Sequence, residues 1–154
     1  INGGSYRIYC RKFKKGSIKL KHENVLKLMK NFVLRVKKNK KNIVNFINKQ
    51  IRKGKKIFLY GASTKGNTFL QYYNLNNKKI PFAAEKTPSK WGRYTIGTGI
   101  EIISEKEARK LNPDYFLVTP WAFIKEFVKR EKNWLKSGGC FILPFPRLKL
   151  IKKQ

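Results

Sequence analysis

A short apolar run, Ile57-Phe58-Leu59-Tyr60, breaks into the polar, glycine-flanked turn Gly61-Ala62-Ser63-Thr64-Lys65-Gly66, and a helical pattern follows from Asn67 to Tyr73. That order is a strand, a phosphate-compatible loop and a helix N-terminus. Gly61 and Gly66 permit a tight turn and close approach of a ligand to the backbone. Ser63, Thr64 and Thr68 offer hydroxyls, Asn67 an amide, and Lys65 a fixed positive charge.

Two known loops compete for this stretch. A P-loop needs G-x-x-x-x-G-K-[ST]; Gly61 and Gly66 have that spacing, but Asn67 stands where the lysine should be. The dinucleotide fingerprint G-x-G-x-x-G fits with one change, Ser63 at the second glycine. Glu85, closing the apolar run Ile80-Pro81-Phe82-Ala83-Ala84, stands where a ribose-binding acid would be. A ligand-free turn is the remaining reading, and the number of polar groups argues against it.

The surrounding pattern alternates strands and helices. Apolar residues recur at helical spacing from His22 to Lys53, with a basic interruption, Lys37-Lys38-Asn39-Lys40-Lys41; one long helix or two broken ones would satisfy this. His22 reads as a surface or capping residue at that helix start. A strand over 100–103 is followed by a capping box, Ser104 with Glu107. Asn112-Pro113-Asp114 stops that helix before the buried strand Tyr115-Phe116-Leu117-Val118. An amphipathic helix from Trp121 to Lys136 ends at Gly138-Gly139, and Cys140-Phe141-Ile142-Leu143 is the last strand, with a frayed basic tail after it. The implied fold is α/β: a Rossmann-like, doubly wound, mainly parallel sheet with helices on both faces, preceded by a long helix.

At 154 residues the chain holds one domain with one core. No apolar run of about 18 residues or more is present, which excludes a membrane-spanning helix. The polar start does not read as a signal peptide, and a reducing cytoplasm is the expected compartment. Cys10 and Cys140 lack metal-ligand spacing and read as small apolar residues in strands. The beginning, a turn at Gly3-Gly4-Ser5 and a strand over 6–10 without a hairpin partner, reads as the cut end of a longer protein.

A net charge of +29 suggests nucleic acid at first sight. The excess is mostly lysine, spread along the chain and accompanied by asparagine, and the aromatics do not alternate with arginine on one surface. Weak, salt-sensitive association with polyanions is expected, without a dedicated nucleic-acid site.

Ligands of such sheets sit beyond the carboxyl ends of the strands. Segments 61–68 and 85–98, Thr119-Pro120-Trp121 and Pro144-Phe145-Pro146 are expected there. Lys90 and Arg93 would face the Lys65 loop as a positive mouth; for Lys90 the reading as a solvated surface charge outweighs that as a ligand contact. Trp121 is either a stacking platform or a core anchor. With a single histidine and a single aspartate, Asp114, no catalytic triad, no His/Cys metal cluster and no pair of loop carboxylates can be drawn.

These residues together resemble the C-terminal domain of nucleotide-sugar C-methyltransferases, over nearly the whole chain. The marks are Gly3-Gly4-Ser5 with Arg7, the Tyr60-to-Thr68 loop, Pro88 with Lys90, Gly92-Arg93-Tyr94-Thr95-Ile96-Gly97-Thr98, Pro113-Asp114-Tyr115, Pro120-Trp121 and Gly138-Gly139. The chain departs from that family at Asn2 and Ala122, where histidine is usual, and at Ile96, where proline is.

The resemblance implies a domain that closes over a nucleoside diphosphate sugar, with Ser63, Lys65, Gly66, Asn67, Thr68, Arg93, Thr95, Gly97, Thr98 and Trp121 as substrate contacts and Glu85 on the ribose or sugar. It places S-adenosylmethionine, zinc and the acid–base residues in a preceding or separately encoded part, leaving no catalytic residue, metal or cofactor here. Residues 1–21 would be a terminal strand and linker of a methyltransferase domain, 22–148 the sugar-nucleotide-binding domain and 149–154 the tail. Two other classes stay open: an NAD-type oxidoreductase module with Glu85 on the ribose, and a basic nucleic-acid-binding protein.

Overall fold

The computed structural model describes residues 22–153. The expected opening strand over 6–10, with Gly3, Gly4 and Arg7, lies outside the described residues.

The chain divides between Lys38 and Asn39 into two compact units, each described by itself. In the first, the described residues belong to helix α1 (His22–Arg52), and Leu26, Leu28, Met29, Phe32 and Leu34 are exposed along it. The basic run at 37–41 does not interrupt the helix. Lysine and asparagine are tolerated in a helix interior, and neither glycine nor proline occurs there.

The second unit is a six-stranded sheet built from β1 (Ile57–Tyr60), β2 (Phe82–Glu85), β3 (Glu101–Ser104), β4 (Tyr115–Val118), β5 (Cys140–Leu143) and β6 (Lys149–Ile151). The strand order is β3-β2-β1-β4-β5-β6, with the first five parallel and β6 antiparallel. All four residues of β1, β4 or β5 face a core on one side or the other, so these strands lack polar alternation.

Successive residues of β1 point to opposite faces. Ile57 and Leu59 join Ile43 and Ile47 of α1 and Phe69, Leu70 and Tyr73 of α2 (Thr64–Tyr73). Phe58 and Tyr60 join Ala108 of α3 (Glu105–Lys110), Phe127 of α4 (Ile124–Arg130), and Trp134 and Leu135 of α5 (Lys132–Lys136). The helix following β1 therefore covers one face and those following β3 and β4 the other. The winding reverses between β1 and β4, and that junction is where this class of fold opens a crevice.

Local signals are met in detail. Ser104 accepts from the Glu107 amide while the Glu107 carboxylate takes the Ser104 amide, so α3 begins with a complete capping box. Asn112 adopts the left-handed conformation just past the end of α3.

Two expectations need correction. The helix expected over 121–136 is a short 3-10 turn (Trp121–Phe123) followed by α4 and α5, with Glu131 between them in non-helical geometry. Glu131 is almost fully buried there, because its carboxylate turns inward to a hydroxyl and a guanidinium. The tail expected to fray pairs instead: Leu143, Ile142 and Phe141 stand opposite Lys149, Leu150 and Ile151, and Ile151 packs against the aromatic core. Cys140 is buried in β5 as a small apolar residue. No helix among the described residues is long and apolar enough to cross a membrane.

If the second half of α1 is part of this core, Ile43→Ala or Ile47→Ala should cost about 2–5 kcal/mol in urea unfolding. Leu34→Ala, at a 63% exposed position, should stay within about 0.5 kcal/mol of the parent.

Candidate functional site at the carboxyl end of the sheet

The loop leaving β1 is held from both neighbouring strands. Gly61 has φ +85°, its amide donates to the Ala84 carbonyl at 2.8 Å, and its carbonyl accepts from the Thr119 hydroxyl at 2.8 Å. A Cβ on Gly61 would lie 2.6 Å from Pro120 Cγ, and one on Gly66 would lie 2.7 Å from Thr119 Oγ1. Both glycines are thus required by the Thr119-Pro120 turn that follows β4. Ser63 is the N-cap of α2; its hydroxyl accepts from the Gly66 amide at 3.1 Å.

Glu85 clasps this loop from the β2 side. One carboxylate oxygen accepts from the Ala62 amide at 2.9 Å and the other from the Thr87 amide at 3.0 Å. Lys90 Nζ stands 3.5 Å from the first oxygen and donates to the Ala62 carbonyl at 3.0 Å, and the Trp91 indole donates to the Glu85 carbonyl at 2.9 Å. Burial pushes the Glu85 carboxyl up, but the bonds from Thr87 and Ala62 and the Lys90 charge outweigh it and hold it below its ordinary value of 4.5.

The opposite wall is a buried polar network. The Tyr60 hydroxyl donates to Glu131 at 2.8 Å and accepts from Arg130 Nε at 3.2 Å. Arg130 also reaches Glu105 and Glu126, each at 2.9 Å, and Arg109 reaches Glu131 at 2.6 Å. Burial pushes the Tyr60 hydroxyl well above its ordinary value, so it remains a neutral donor.

Between these walls lies a cavity of about 400 Å³. Tyr60, Gly61, Ala62 and Ser63 form its base. Glu85, Lys86, Thr87 and Lys90 line the β2 side, and Pro120, Phe123, Glu126, Phe127 and Arg130 the β4 side. Of the residues singled out from the sequence, Gly61, Ser63, Glu85, Lys90 and Pro120 line this cavity. Lys65, Gly66, Asn67 and Thr68 occupy the first turns of α2 beside it, with Lys65 and Thr68 exposed.

The second predicted loop lies elsewhere. From the 3-10 turn Pro88–Lys90 the chain runs down the outer edge of β3, with Gly92 and Arg93 bonded to Ile102 and Tyr94 opposite Glu101. Thr95, Gly97 and Thr98 therefore lie at the amino ends of β2 and β3, not beyond their carboxyl ends. The Thr95 and Thr98 hydroxyls bond each other at 2.7 Å, Thr98 accepts from Asn77, and a Cβ on Gly97 would strike Gln71. Arg93 is exposed and its backbone pairs with Ile102, midway along the sheet edge. The expectation failed because a return strand and a ligand loop share the same glycine and threonine content. Trp121 packs on Phe145 with ring centroids 4.8 Å apart.

Lys86 and Thr87 fall within the expected segment 85–98 without having been singled out, whereas Phe123 and Arg130 were missed by the sequence reading. Arg130 carried a usable signal, its i, i+4 spacing from Glu126. Among the described residues no group of three or more His, Cys, Asp or Glu converges to hold a metal ion.

A family model described as the C-methyltransferase C-terminal domain matches residues 1–146. C-methyltransferase NovU of Streptomyces niveus is 36% identical over 101 residues, which is 66% of this chain and 24% of that protein. The chain thus spans about a quarter of the length of the curated relative it matches.

Glu85→Gln should destabilise the chain at neutral pH by about 1.5–3 kcal/mol, the range for hydrogen bonds to charged groups. Because the folded carboxyl titrates below its ordinary value, its stabilisation is present above about pH 4.5 and fades as pH falls through the folded value. Parent and variant unfolding curves should therefore converge on acidification. A gap independent of pH between 3 and 7 would contradict the assigned role.

Proposed function

Since the chain belongs to the C-methyltransferase C-terminal domain family, we propose that it is the substrate-holding domain of an enzyme that methylates a sugar carbon of a nucleoside diphosphate sugar. The observation that carries this reading is the crevice at the β1/β4 junction, where a glycine-bounded loop, the N-terminus of α2 and a cavity of about 400 Å³ meet. A helix N-terminus with Ser63, Lys65, Asn67 and Thr68 in or beside its first turns suits a diphosphate.

When bound, S-adenosylmethionine supplies the methyl group, and the acceptor is a sugar carbon made nucleophilic by a neighbouring keto group. The described residues hold and orient the sugar nucleotide and exclude water from it. The methyl donor, the zinc and the acid–base residues belong, in this reading, to a preceding or separately encoded domain. In this reading the sugar-nucleotide domain includes β6, which pairs with β5, and so extends to Ile151.

The dinucleotide reading is weaker, because Glu85 has both carboxylate oxygens engaged by backbone amides of its own chain. A ribose would compete with the loop for them. For dedicated nucleic-acid binding, the lysines of the described residues are spread over mostly exposed positions and do not form one focused patch.

A deoxythymidine-diphosphate sugar should raise the melting temperature of the 154-residue chain more than NAD at equal concentration. Lys65→Ala should weaken that binding by about 1.5–3 kcal/mol, whereas Lys38→Ala should alter only its salt sensitivity. Equal losses in the two variants, or a larger shift with NAD, would overturn the assignment.

A further inference from the structure

Phe123 is 45% exposed, yet it lines the cavity at the carboxyl end of the sheet. Its position is fixed: its amide donates to the Pro120 carbonyl at 3.0 Å, and its ring lies 6.3 Å from that of Phe127. A large aromatic left half in solvent on the rim of a ligand-sized cavity loses apolar burial that a ligand would restore. Trp121, the aromatic that the sequence nominated for stacking, is engaged with Phe145 instead.

The charges of the cavity are unequally used. Glu85 is held by amides and Lys90, while Glu105 and Glu126 pair with Arg130. Lys86, exposed just past β2, also lines the cavity and makes no ion pair among the described residues. Phe123 follows β4 and Lys86 follows β2, and these strands flank β1 on either side. Two strand spacings separate them, about 10 Å, comparable with the reach of a nucleotide from base to phosphate.

We propose that the nucleoside diphosphate lies across the carboxyl end of β1, with its base stacked on Phe123 and its phosphates on the Lys86 side, toward the N-terminus of α2. This assignment rests on the sugar-nucleotide reading and specifies how that ligand is held. The acids of the cavity are largely offset from within the chain: Glu85 pairs with Lys90, and Glu105, Glu126 and Glu131 share the guanidinium groups of Arg109 and Arg130.

Calorimetric titration of the 154-residue chain with deoxythymidine diphosphate, uridine diphosphate and inorganic pyrophosphate tests it. Phe123→Ala should weaken both nucleotides by about 5- to 150-fold, the effect of removing one base–aromatic stack, and leave pyrophosphate unchanged. Phe123→Trp should keep nucleotide affinity. Lys86→Ala should weaken all three ligands by about tenfold or more. Tyr94→Ala, at an exposed aromatic on the far edge of the sheet, should change none.

If the parent binds nucleotides but Phe123→Ala binds them equally well, the stacking assignment fails and the sugar-nucleotide reading stands. If the parent binds neither nucleotide, both fail. Equal losses in Phe123→Ala and Tyr94→Ala would also overturn the assignment. Unchanged melting temperatures of the variants without ligand separate a lost contact from a lost fold.

Discussion

The Glu85 carboxylate is the point on which the carboxyl end of the sheet depends. It takes the Ala62 amide from the loop after β1 and the Thr87 amide from its own strand's exit, so one side chain ties together the two loops just beyond the paired ends of β1 and β2. Thr119 completes the hold from the other side by donating to Gly61. The loop is therefore organised before any ligand arrives. In the proposed reading an anionic ligand would meet a helix N-terminus already held in place, which would lower the entropic cost of association.

The same economy governs the other acidic residues. The chain has only eight, against 37 basic ones. Six of them make specific bonds: Glu85 on its loop, Glu107 in a cap, Asp114 on Lys55 and the Lys56 amide, and Glu105, Glu126 and Glu131 around Arg109 and Arg130. The network around Tyr60 bears a desolvation cost that its mutual hydrogen bonds offset, and among the described residues no buried side-chain polar atom is left without a partner. The lysines need no such placement. Apart from Lys55 and Lys90, which hold Asp114 and the Ala62 loop, most lysines of the described residues cover solvent-facing positions.

Much of the fold was legible in the sequence because its signals are local. Ile57, Tyr115 and Cys140 begin strands where apolar runs begin, and Ser104 and Glu107 declare a helix start without reference to anything distant. The failures are non-local. Whether 92–99 is a ligand loop or a return along β3 depends on a partner strand that follows it, and whether Lys149 to Ile151 frays depends on β5 having an unpaired side. The site divides in the same way. Ser63 and Gly66 were readable from the loop itself, whereas Arg130 and Phe123 arrive from α4 and its preceding turn, and only the winding of the sheet brings them to β1. Glu85 closes β2 as the apolar run implied, but its bonds to the loop are a tertiary fact that no spacing encodes.

The two outer strands are guarded by different means. On one side the segment through Gly92 and Tyr94 lies against β3 and occupies its bonding groups. On the other, β6 is three residues long, begins with an exposed lysine and is followed by two more. Lysines on a short edge strand oppose recruitment of a foreign strand. Such a domain can be carried at high concentration beside other domains without its sheet growing from copy to copy, and its lysine-rich surface adds like-charge repulsion to that protection.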